Sequence, residues 1–320
     1  MASTTPRSNG PSLIAALWEQ AGMLAVLGIL FLACSLLVPN FFTLQNMQGL
    51  VLAVSTVGMV SCTMLFCLAS GNFDLSVGSV VAASGVIAAV VMHASESVGL
   101  GVAAALASGV AVGLVNGVVV AKARINPLIT TLATMQIVRG AAYIVSGGKA
   151  VGIGQESFFR LGNSAFLGIP VPVWICLACF VAFGFLLSRT VFGRNTLAIG
   201  GNEEAARLAG VPVDRTKIGI FALQGMVAAL AGVVLASRMT SGQPMTSQGF
   251  ELEVISACVL GGVSLTGGVG RIEFVIAGVL IMGIVQNAMN LKNIEPFFQY
   301  IARGGILLGA VLFDRYRRRQ

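Results

Sequence analysis

No Asp, Glu, Lys or Arg occurs from Gln20 to Phe73, and apolar residues fill most positions between them. One membrane crossing takes about 20 apolar residues, so this run is too long for a single helix. Pro39-Asn40 divides it, and Asp74 closes it. The same pattern continued along the chain predicts ten spans, over residues 21–38, 48–70, 75–95, 97–121, 125–146, 171–188, 218–237, 252–270, 272–289 and 297–313. The expected architecture is an all-α polytopic membrane protein. A short tail (1–20) and a basic tail (314–320) flank a single membrane domain (21–313), and the longest hydrophilic loop covers 189–217.

Ten spans place both termini on one side. That side then carries Arg7, Lys122, Arg124, Arg189, Arg194, Arg207, Arg215, Lys217, Arg271, Arg315, Arg317, Arg318 and Arg319, whereas the opposite side carries Lys149, Arg160, Arg238 and Lys292. Cytoplasmic loops hold the excess of Lys and Arg, so both ends are expected inside. Arg139 and Arg303 fall within spans, and Arg139 is expected to snorkel or pair.

Charged residues are 10% of the chain, against roughly a quarter in soluble domains. The net charge of +7 is scattered among apolar segments with no basic patch carrying interleaved aromatics, which excludes a nucleic-acid partner. All six cysteines (Cys34, Cys62, Cys67, Cys176, Cys179, Cys258) lie in apolar runs, and His93 is the single histidine, so neither a metal nor a cofactor site is expected. Gly147-Gly148-Lys149 lacks the first glycine and the final Ser or Thr of a nucleotide loop, and no nucleophile–base constellation is present.

The fourth span repeats a small residue every fourth position, Gly101, Ala105, Gly109, Gly113 and Gly117. Helical spacing aligns them on one face that lets another backbone come close, so this is read as a packing stripe. Gly305 and Gly309 repeat the device in the last span. The polar residues Asn116, Thr130, Thr131, Thr134, Gln136, Gln224, Ser256, Gln286, Asn287 and Asn290 lie inside spans. They are candidates for lining a polar pathway, although hydrogen bonding between helices is the commoner use of such groups. The turn at Asn72, Asp74 and Ser76 reads equally as a helix cap and as a pathway break.

Within the 189–217 loop, Asn202 is a good N-cap, Glu203 and Glu204 occupy the first turn, and Gly210 with Pro212 stops the helix. Ala205, Ala206 and Ala209 leave one side nearly bare. Glu204-Ala205-Ala206-x-x-x-Gly210 resembles the E-A-A-x3-G loop of ATP-binding-cassette (ABC) importer permeases. GNFDLSVGSV (71–80), INPLITTLATMQIVRG (125–140), GRNTLAIGGNEEAARLAGVPV (193–213), ASRMTSGQPMTS (236–247), ISACVLGGVSLTGGVG (255–270) and FDRY (313–316) resemble ribose-type sugar permeases of that class. The resemblance implies an inner-membrane permease subunit that is not itself an enzyme. It also implies a homodimer of this chain, a separate cytoplasmic ABC ATPase that binds the ATP, and a periplasmic sugar-binding protein. Asn202, Glu203, Glu204, Ala205, Ala206 and Gly210 would form the helix that docks the ATPase. The competing expectation is an ion-coupled secondary sugar carrier. The carboxylates Asp74, Glu251, Glu253 and Glu273 all read as span ends, which disfavours proton coupling.

Overall fold

A computed structural model describes the backbone of residues 13–317 and the side chains of residues 22–312. Residues 1–12 and 318–320 of the two expected tails lie outside it. The first helix, α1 (Leu13–Leu37), starts inside the segment read as tail. There follow α2 (Leu44–Ala69), α3 (Val77–Ser95), α4 (Val98–Ala121), α5 (Pro127–Ser146), the short α6 (Glu156–Asn163) and α7 (Val171–Arg189). The hydrophilic loop folds as α8 (Val191–Gly201) and α9 (Glu203–Leu208), and the chain ends with α10 (Val213–Met239), α11 (Phe250–Leu260), α12 (Ile272–Leu291) and α13 (Pro296–Arg317). Two-residue strands form two small ladders, β1 (Val151–Gly152) with β4 (Ser241–Gly242) and β2 (Ala165–Phe166) with β3 (Ile169–Pro170).

Among the described residues seven helices, α2, α3, α4, α5, α7, α10 and α12, are long and apolar enough to cross a membrane, and shorter apolar stretches occupy Gly22–Leu37 and Pro296–Leu312. The apolar windows of α2 and α3 are 78% and 72% buried, those of α4 and α5 only 22%. The core therefore sits around α2, α3 and α10, with α4 and α5 outside it.

The span expected over 252–270 requires correction. Helix α11 stops at Leu260, and eleven residues rise only about 16 Å, half of the ~30 Å apolar thickness. Residues 261–271 form a glycine-rich return in which Gly262, Gly267 and Gly268 have φ of +73°, +90° and +79°. Counting apolar residues treated these glycines as membrane-compatible, but that backbone is left-handed and ends a helix. The other half of the crossing lies upstream. From Gly242 to Ser247 the chain runs alongside α3 without forming a helix, Gly242 against the backbone of Gly85 and Val86, the Ser247 carbonyl against Gly78. The stretch before α3 is also non-helical, from Asn72 to Ser76. Non-helical chain thus precedes both α3 and α11, and the 242–247 stretch runs antiparallel to α3.

The stripe on α4 lies against α10. A Cβ on Gly109 would meet the Gly225 carbonyl, one on Gly113 the Phe221 carbonyl, and one on Gly117 would lie 2.7 Å from Ile218 Cα. Gly101 faces Met92 and Ala88 of α3. Gly305 and Gly309, in contrast, meet nothing within 4 Å and stay on the open face of α13. Overpacking costs about 1–3 kcal/mol even where side chains can shift, and here the obstacle is backbone. Gly113→Leu is therefore expected to lower the melting midpoint of the purified protein by several degrees, while Gly309→Leu leaves it unchanged; equal midpoints would refute close α4–α10 packing.

Candidate functional site

The protruding helix α9 follows from its sequence. Asn202 is extended and its Oδ1 accepts the Ala205 amide at 2.9 Å, the side-chain cap that starts the helix. Gly210, at φ +84° with open space around it, closes the turn. Ala206 is buried with Ile199 and Val213, so it faces the body of the protein, whereas Glu204, Ala205, Ala209 and especially Leu208, 85% exposed, face outward. Glu203 ties the helix down, accepting Lys217 Nζ at 2.6 Å and Arg207 at 3.3 Å, and Arg207 also reaches Asp214 at 3.1 Å. Partial burial alone would raise the Glu203 carboxyl, but the bonds from Lys217 and Arg207 outweigh it and hold it below the ordinary glutamate value. This tie is present at neutral pH and is lost as the pH falls below that range. Glu204 makes no ion pair among the described residues.

Several polar residues considered for the pathway are hydrogen-bonded to one another. Asp74 Oδ1 accepts the Ser76 amide at 2.8 Å and its hydroxyl at 2.6 Å. Ser76 Oγ accepts Asn116 Nδ2 at 3.1 Å, and Asn116 Oδ1 accepts the Thr134 hydroxyl at 2.6 Å. This buried relay joins the start of α3 to α4 and α5. Asn72 donates to Ser70, and Thr130, Thr131 and Ser256 bond the preceding turn of their own helices. Gln136 is exposed on α5, and Gln224 is fully buried with neither amide atom bonded among the described residues. Asn116→Leu removes two bonds at about 0.5–1.5 kcal/mol each, while Ser76 keeps its bond to Asp74 and Thr134 its bond to the Thr130 carbonyl. A clear drop in the thermal midpoint is expected, and an unaltered one would count against the relay.

The remaining candidates converge on a cavity of about 260 Å³ between α2, α11 and α12. Gln286, Asn287 and Asn290 line it with Thr56, Ser247 and Glu253. Asn287 exchanges two 2.9 Å bonds with Asn46, and Asn290 accepts Gln299 at 2.8 Å. Glu253 is placed here because the chain before α11 is irregular and the helix starts only at Phe250. The carboxylate read as a span end therefore enters the interior, where Arg303 stands 3.6 Å away. Arg139 reaches across from α5 and donates to the carbonyls of Pro244 and Thr246 at 2.6 and 2.7 Å. The pairing expected of Arg139 is thus with backbone that no helix satisfies.

Leu208 was not singled out from the sequence, and Glu253 and Arg303 were read there as a span end and a span residue but not as partners. An apolar residue beside the E-A-A motif was the available signal for Leu208; for the ion pair there was none, since 50 residues separate its members. Among the described residues no cluster of three His, Cys, Asp or Glu is arranged to hold a metal ion.

A bundle of apolar helices with polar residues buried between them and a capped helix outside it has the make-up of a membrane permease. The family described as "Branched-chain amino acid transport system / permease component" matches residues 46–312, and the chain belongs to that family. It is 66% identical over 303 residues to the L-arabinose transport system permease protein AraH of Escherichia coli K12, covering 95% of this chain and 92% of that one. An L-arabinose ABC transporter permease protein AraH of Azospirillum brasilense is 56% identical over 302 residues (94% and 89% covered). The ribose import permease protein RbsC of Escherichia coli K12 is 38% identical over 321 residues (98% and 100% covered). No solved structure matches the chain.

Proposed function

We propose that this chain is the permease subunit of an ATP-driven importer in the bacterial inner membrane and forms the transmembrane route for L-arabinose. The observation that carries the reading is 66% identity to an L-arabinose permease over nearly the whole of both chains. Supporting it, α9 is a capped and ion-paired helix with an exposed Leu208, the form required of a docking element. In this reading a cytoplasmic ABC ATPase docks on Asn202, Glu203, Glu204, Ala205, Ala206, Leu208 and Gly210. A periplasmic binding protein delivers the sugar, and two copies of the chain assemble, with the open glycine face of α13 free for close approach.

Ten crossings with both termini cytoplasmic remain part of the proposal, the eighth being the irregular 240–249 stretch joined to α11. A return loop that donates from Gly268 N–H to Ala69 O at 2.8 Å and sits against Gly200, next to α9, supports that course. A reporter fused at Gln320 is expected to be cytoplasmic.

The test is uptake of labelled L-arabinose by cells lacking their own importer, with and without this chain and with an inactivated ATPase. Uptake that needs both proteins is the expected result. Import by vesicles holding this chain alone, driven by an ion gradient, would replace the importer with a secondary carrier. Glu253 inside the cavity makes that comparison necessary, because the argument from carboxylates at span ends no longer applies to it.

A further inference from the structure

An ionisable residue inside a membrane bundle is costly and marks a functional site. Glu253 lies in the first turn of α11, its side chain mostly enclosed, and its carboxylate has Arg303 at 3.6 Å as its ion-pair partner. At that separation the pair is an electrostatic contact rather than a short hydrogen bond, so the carboxylate's lone pairs stay available to the cavity. Three further polar residues line the same space. The side chains of Thr56, Ser247 and Gln286 make no hydrogen bond to protein among the described residues, whereas most span hydroxyls in this chain bond the turn behind them. Leu50, Val54 and Met282 add apolar surface to the same lining.

We propose that this cavity is a transient binding station for a neutral monosaccharide with neighbouring hydroxyls, and that Glu253 is the residue accepting those hydroxyls. The inference rests on the importer reading above and names where in the route the sugar is held. A carboxylate offers two oxygens to two adjacent hydroxyls, while Gln286 both donates and accepts. The apolar surface takes the C–H face of the ring, and 260 Å³ has room for one monosaccharide. Arg303 balances the charge of Glu253, so the station as a whole offers no net attraction to sugar acids or sugar phosphates. The N-termini of α3 and α11 lie close together beside it, Gly78 standing against Ser247, Phe250 and Glu251.

The experiment uses the whole importer, this chain with its ATPase and binding protein, in proteoliposomes supplied with ATP. Labelled L-arabinose uptake per inserted permease is measured for wild type, Glu253→Gln, the exchange Glu253→Arg with Arg303→Glu, and the outward-facing control Ile144→Ala. Glu253→Gln should import about tenfold more slowly, the loss expected of a charge-assisted hydrogen bond. The exchange restores an ion pair but puts a cation where the hydroxyls must be accepted, so it should stay as slow. Independently, a thiol placed by Asn290→Cys should react with a small polar reagent at least twofold more slowly in millimolar L-arabinose. Uptake by Glu253→Gln equal to that of Ile144→Ala, full recovery in the exchange, or an Asn290→Cys thiol unprotected by sugar overturns the station. If Glu253→Gln fails to insert, the thiol measurement decides. Wild-type complex that imports no pentose with ATP overturns the importer reading instead, and the two failures are therefore distinct.

Discussion

Leu208→Asp is expected to abolish ATP-driven uptake while the protein still inserts at normal levels. Leu208 is 85% exposed at the end of a six-residue helix whose other outward residues, Glu204, Ala205 and Ala209, are small or acidic. It is the one large apolar side chain α9 presents. Burying a leucine contributes about 1.5–3 kcal/mol to an interface, and an aspartate would additionally place an unpaired charge there. Together these exceed a factor of 100 in affinity, since 1.4 kcal/mol is tenfold. Nothing inside the chain depends on Leu208, so folding is untouched. Gly210→Leu should act by a different route. Its Cβ meets nothing, but φ of +84° costs a non-glycine residue about 1–2 kcal/mol, and the end of α9 must shift. Co-purification of the ATPase is the direct measurement, with Glu204→Lys as a third variant. An ATPase that still co-purifies with all three would remove α9 from the docking surface.

The second large effect is expected at Arg139. Carbonyl groups cannot remain unbonded at membrane depth, where each costs several kcal/mol, and irregular backbone persists there only when protein or a cavity supplies partners. Arg139 supplies two, to Pro244 and Thr246. A hydrogen bond to a charged group contributes about 1.5–3 kcal/mol, so Arg139→Met should lower the thermal midpoint by more than any other single change in α5 and reduce import at least tenfold. Arg139→Lys keeps the charge and one well-placed donor, and should recover part of both. Protease sensitivity mapped to residues 240–249 would localise the damage. A methionine variant that melts and imports as wild type would show that the irregular 240–249 stretch holds itself.

How much of this was legible beforehand differs element by element. The stripe from Gly101 to Gly117 was readable because helical spacing alone puts those positions on one line. Helix α9 was equally readable, since a cap, first-turn acids and a C-terminal glycine are local signals. The roles of the span polar residues were not. Asn116 and Thr134 are 18 residues apart and Asp74 lies 42 before Asn116, so their relay exists only once α3, α4 and α5 are packed. The same holds for Gln286, which reaches the cavity, and Gln136, which does not, although both are glutamines in apolar helices.

By itself the sequence determined that this chain lives in a membrane, where most of its long apolar helices lie and where the capped helix α9 forms. Those outcomes depend on transfer free energies and caps, properties of neighbouring residues. Tertiary structure alone decided that the chain before α11 is irregular, that Arg139 satisfies its carbonyls, and that Glu253 meets Arg303 within a cavity. Each of those depends on groups far apart in the chain being brought within a few ångströms, and no local pattern encodes that distance.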